Sequence, residues 1–96
     1  MNSTSFKYDA DQWAVYTSLV QTYYAMKEFF AINGYYTGLM WQLTNLPDFV
    51  AKGECASVPV INATTYSFNV TCRPRDLTKN LVGHIRDDRL IWFTSK

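Results

Sequence analysis

The chain has 96 residues, a formal net charge of +1, 48% hydrophobic and 18% charged side chains, one His and two Cys. That length holds one domain and that composition is globular, not disordered. The near-neutral charge argues against a dedicated nucleic-acid domain, for which a strong basic excess is expected, and a single imidazole with two thiols leaves little for catalysis or metal binding.

No apolar run reaches the ~18 residues of a membrane span. The opening Met1-Asn-Ser-Thr-Ser is polar, without the basic and apolar regions of a signal peptide. Asn2-Ser-Thr begins the first of three glycosylation-type tripeptides, the others starting at Asn62 and Asn69.

Residues 9–33 carry neither Gly nor Pro. Trp13, Tyr16, Leu19, Val20, Tyr23, Met26 and Phe30 recur at helical spacing, while Gln12, Thr17, Ser18, Gln21, Thr22 and Glu28 fall on the opposite face. The spacing predicts one long amphipathic helix with its aromatic stripe laid on a sheet. Asp9 and Asp11 sit where the helix dipole favours anions, and Asn33-Gly34 supplies the C-cap. The helix is longer than so small a globule needs, which reads as the remainder of a longer one.

Residues 34–56 read as a loop. Leu39 to Leu46 could supply one or two helical turns, stopped by Pro47. Strands are expected over about 57–94, all antiparallel, completing an α+β domain over residues 1–96. Ser57–Asn62 and Thr65–Cys72 form a first hairpin centred on Ala63-Thr64. Tyr66, Phe68 and Val70 share one face of the second strand, and Ser67, Asn69 and Thr71 the other, the mark of a sheet with one wet face. That register puts Cys55 opposite Cys72 at a narrow, non-hydrogen-bonded pair, suited to a disulfide worth about 3 kcal/mol in the chain-entropy model. Two free buried thiols are the alternative. A last hairpin, Asn80–Arg86 and Arg89–Thr94, turns at Asp87-Asp88. It would pair Gly83 with Trp92, Ile85 with Leu90 and Val82 with Phe93, leaving open which face meets the helix.

His84 lacks the clustered partners that a base or a metal site needs. The four glycines, Gly34, Gly38, Gly53 and Gly83, are too scattered for a phosphate loop. No catalytic residue, metal site or cofactor is expected, and the chain does not read as an enzyme. Charge is uneven. Arg73, Arg75, Lys79, Arg86, Arg89 and Lys96 face three acids after residue 72, a local +3, whereas residues 1–72 carry three basic against five acidic residues, or −2. Arg73, Arg75, Lys79, Arg86 and Arg89 are therefore the expected contacts to a neighbouring subunit or to a DNA backbone.

The run from Val15 to Tyr36, where a long helix enters Phe29-Phe30-Ala-Ile-Asn-Gly-Tyr-Tyr and then a variable loop and an antiparallel sheet, resembles the globular domain of the type IV pilins and type II secretion pseudopilins. Thr37 stands where that family's Gly-x-Tyr-Pro has proline. The cysteines would staple the first hairpin, where many major pilins bracket the C-terminal region. Both departures fit a minor or atypical member. The resemblance implies a structural filament subunit lacking its N-terminal assembly helix. Its partners would be other pilin subunits and, through that helix, the inner-membrane assembly machinery. It would be anchored in the bacterial inner membrane before assembly, and then reside in an extracellular fibre or the periplasm, with adhesion, secretion or DNA uptake as the associated processes. The competing expectation is a small disulfide-stapled secreted or viral ectodomain acting as a binding module.

Overall fold

A computed structural model describes residues 9–95. Asn2 and Lys96 lie outside the described residues, as does the first glycosylation-type tripeptide. Helix α1 spans Ala10–Asn33. It begins on a capping box: Gln12 N–H donates to the Asp9 carboxylate at 2.9 Å, and Asp9 N–H donates to Gln12 Oε1 at 3.1 Å. Such a box satisfies two of the helix's orphan donors, and losing the N-cap typically costs about 1 kcal/mol. Gly34 ends the helix at φ 80°, donating its N–H to Phe30 O at 2.7 Å. That conformation suits glycine because no Cβ crowds the preceding carbonyl.

A 3₁₀ turn at Met40–Gln42 and a single helical turn, α2, at Asp48–Ala51 follow. Pro47 precedes α2 and opens it instead of stopping a helix before it. Its fixed φ and missing N–H suit that position, where no intrahelical donor is needed. Strands β1 (Val60–Ala63), β2 (Phe68–Cys72), β3 (Val82–Arg86) and β4 (Ile91–Thr94) form one antiparallel sheet in the order β1-β2-β3-β4. The helix lies across β2 and β3. The fold is α+β, with one long helix against a four-stranded antiparallel sheet.

Both expected hairpin registers are corrected. Thr71 pairs with Val60, four residues along from Ala56, the partner a centre at Ala63-Thr64 would give it. The turn instead occupies Thr64–Ser67, closed by Thr64 N–H to Ser67 O at 2.8 Å and by a hydroxyl pair between the same residues. The polar Thr and Ser side chains cap that turn, which moves it toward the C-terminal side. Cys55 therefore has no place opposite Cys72 in the ladder. A slide of four preserves the faces, so Phe68, Val70 and Cys72 still point inward.

The second hairpin slips by one. Gly83 pairs with Phe93, His84 with Trp92 and Ile85 with Ile91. Its loop is Asp87-Asp88-Arg89, with Arg89 at φ 70°, the three-residue pattern of a type I turn followed by a left-handed residue. Leu90 N–H donates to the Asp88 carboxylate at 3.1 Å, and Arg86 holds the same side chain. A slip of one exchanges the faces of β4: Ile91 and Phe93 turn toward the helix, and Trp92 and Thr94 turn away.

The helix also rotates relative to expectation. Its fully buried stripe is Val15, Ser18, Leu19, Thr22, Ala25 and Met26, while Trp13 and Tyr24 are exposed and Tyr16, Tyr23 and Phe30 are half-buried. Ser18 and Thr22, expected on the wet face, face the sheet. They satisfy their hydroxyls on the preceding turn: Ser18 donates to Ala14 O at 3.0 Å and Thr22 to Ser18 O at 2.8 Å. Small side chains let the helix approach closely, and Gly83 completes the fit. A Cβ there would stand 2.4 Å from Val15 Cγ1 and 3.0 Å from Leu19 Cδ1. Aromatic residues consequently line both flanks of the helix, and it is not cleanly amphipathic.

Candidate interaction surfaces

The five basic residues of the expected contact edge occupy two places. β2 and β3 run antiparallel with Cys72 beside Gly83 and Asn69 beside Arg86. Arg73, Arg75 and Lys79 follow the Cys72 end, near the start of α1, while Arg86 and Arg89 lie at the opposite end. Lys79 meets Asp11 at 3.5 Å and Arg75 donates to Glu54 O at 3.2 Å. The Arg73 Nε and Nη2 atoms are shielded from solvent and meet no acceptor. At the far end Arg86 is paired with Asp88, holding that carboxyl down at about 2. Arg89 donates to Tyr24 Oη at 3.1 Å with its guanidinium over the Tyr24 ring. The fold does not gather these five cations into one strip.

Both cysteines are free thiols here. Cys55 Sγ donates to Ala14 O at 3.5 Å, the carbonyl that also receives Ser18 Oγ. Buried Cys72 donates to Ser57 O at 3.2 Å and is also hydrogen-bonded by Ser18. Ser18 thus shares an acceptor with Cys55 and is bonded to Cys72, and the nearby Cys55 also raises the Cys72 thiol. Burial pushes the Cys72 thiol up to about 11, so it stays protonated at neutral pH.

His84 stacks on Trp92, centroids 4.9 Å apart and planes 11° apart, and shares a hydrogen bond with Thr94 Oγ1 at 2.8 Å. Partial burial lowers its pKa, favouring the neutral ring. Among the described residues, no group of three His, Cys, Asp or Glu side chains could hold a metal.

Two features escaped the sequence reading. Lys27 sits among rings: its Nζ lies 5.5 Å from the Tyr23 and Tyr36 centroids and 5.8 Å from Phe68, and it donates to Tyr36 Oη at 2.9 Å. That hydrogen bond, more than the neighbouring charges, holds its pKa up. A lone Lys on an aromatic helix carries no sequence signal of this. The second is an apolar surface along the C-terminal half of α1 and the loop after it. A cleft of about 350 Å³ between Phe29, Ile32, Tyr35 and Gln42 adjoins one of about 500 Å³ between Met40, Trp41, Leu46 and Val58, with Thr44 on both rims. Trp41 is 78% and Ile32 69% exposed. Thr37 is buried and organises this loop: its hydroxyl donates to Gln42 Oε1 at 2.5 Å and accepts from Leu39 N–H at 3.0 Å.

Comparison with family models, with curated proteins and with solved structures finds no match for this chain.

Proposed function

We propose that the chain is the globular domain of a filament subunit of the type IV pilin or pseudopilin kind, with α1 as the lower part of its assembly helix. The observation that carries this reading is the apolar surface around Ile32, Tyr35 and Trp41. Monomeric proteins rarely leave large contiguous apolar patches open, and packed subunits would cover this one. A 24-residue helix spans ~36 Å, and it ends at the clefts that a neighbouring subunit would fill. The same reading gives the protein a structural role, with like subunits and membrane assembly machinery as partners and a fibre or the periplasm as its location. In that oxidising setting Cys55 and Cys72 would be joined.

The test is in cells carrying the gene. Antibody against this domain should decorate surface filaments in electron micrographs. Trp41→Glu should abolish the decoration while leaving the isolated domain folded. Absence of labelled filaments, or decoration unchanged by that substitution, overturns the proposal.

A further inference from the structure

A recess of about 470 Å³ opens at the end of the sheet, between the β1–β2 turn and the β3–β4 turn. Asn62, Ala63, Phe68, Asn69, Arg86 and Asp87 line it. Asn62 and Asn69 are direct cross-strand partners, and Arg86 is the partner of Asn69 on the next strand. One row across three rigid strands thus presents two carboxamides and a guanidinium on the same face. Neither carboxamide has a hydrogen-bond partner among the described residues, although each offers one acceptor and two donors. Carboxamides held side by side in this way are placed to exchange paired hydrogen bonds with a ligand.

The charges indicate which ligand. Arg86 is paired with Asp88, and Asp87 lies within the field of both Lys27 and Arg86. Arg86 and Asp87, the charged residues of the lining, are opposite in sign, so neither an anion nor a cation meets an unopposed charge there. Next to Arg86 on β3, on the same face, His84 stacks with Trp92, giving a flat ring surface beside the polar row. From these juxtapositions we infer that the recess between the two turns is a binding site for a neutral saccharide, its vicinal hydroxyls bridged by the Asn62 and Asn69 amides and its ring lying toward Trp92. Amide groups that donate and accept at once match hydroxyl pairs, and a pocket of this kind fixes its ligand through a few placed polar groups. The inference stands apart from the filament reading and does not need it.

The experiment is a titration of the isotopically labelled domain with glucose, N-acetylglucosamine and cellobiose, each up to about 10 mM, with inorganic phosphate as the charged control. The side-chain NH₂ signals of Asn62 and Asn69 should shift saturably with at least one sugar and stay still with phosphate. Asn69→Ala, an exposed change whose fold is verified in the same spectra, should weaken binding at least tenfold. Glu28→Gln, on the far side of the helix, should leave it unchanged. No saturable shift with any of the three sugars overturns the inference. So does an equal response to phosphate, or a response indifferent to Asn69→Ala.

Discussion

The two ends of the helix–sheet seam are built on opposite plans. Toward the start of α1, Val15, Ser18 and Leu19 close down on Gly83, with little side-chain bulk between helix and strand. Toward its end, Phe30, Tyr36 and Phe68 interleave, with Phe30 and Tyr36 centred 4.5 Å apart, Tyr36 and Phe68 4.7 Å apart, and Lys27 over the rings. One end gains stability from dense aliphatic contact, where any added or removed carbon is felt. The other gains it from ring contacts and one charge, where an atom can be changed without moving the backbone. A small domain can use both, because close approach at one end leaves room for rings at the other.

Substitutions at the two ends should therefore differ in size. Leu19→Ala leaves a cavity at a fully buried site and should cost about 4 kcal/mol in denaturant melts. Gly83→Ala should cost about 3 kcal/mol, since Val15 must shift to admit the new Cβ. A melt unchanged by Gly83→Ala would break the comparison. At the aromatic end, Tyr36→Phe keeps the ring and loses only the bond from Lys27, so about 1 kcal/mol is expected. Alkali sharpens this point. The Lys27 pKa is raised in the folded state, so its contribution is complete below the ordinary lysine range and disappears as pH rises through the folded value. Tyr36→Phe should flatten that alkaline loss.

The thiols give a milder contrast. At neutral pH, Cys55, which is partly open, should react with a maleimide well before Cys72, which is buried and held up at about 11. Under an oxidised-glutathione buffer, a mass lower by two hydrogens would mark the pairing that an oxidising compartment requires, and two retained thiols would count against it. The smallest effect is at the exposed β3–β4 turn. The Asp88 carboxyl should titrate at about 2, and Arg86→Ala should return it toward 3.8. Its folded value is depressed, so whatever stability it adds is present above the ordinary carboxylate range and fades as pH falls toward 2.

Local chemistry was legible in the sequence, and registration was not. Asp9, Gly34 and the absence of Gly and Pro between them mark the helix ends closely, because caps act within one turn. The inward alternation of Phe68 and Val70 was legible for the same reason. The hairpin registers depended on loops whose closing bonds come from side chains: the hydroxyls of Thr64 and Ser67, and Asp88 holding Leu90 N–H. Moving one turn by a single residue moved Trp92 from the Gly83 face to the His84 face, the one turned away from the helix. The recess was hidden by the other hairpin, since Asn62 and Asn69 become neighbours only in the observed β1–β2 register. The buried helix face was misread because Ser18 and Thr22 bond to their own backbone and behave as small core residues, whereas the aromatic residues were too many for one stripe.

The placement of the tryptophans has a practical consequence. Trp13, Trp41 and Trp92 are all open to water, at 50%, 78% and 36%, and none belongs to the buried core. Their emission in the folded protein will already be that of hydrated indole and will move little as the chain unfolds. The ultraviolet dichroism of the tyrosines, dominated by the packed rings of Tyr23 and Tyr36, will carry the melting signal instead. A quench of tryptophan emission will report contact at the surface.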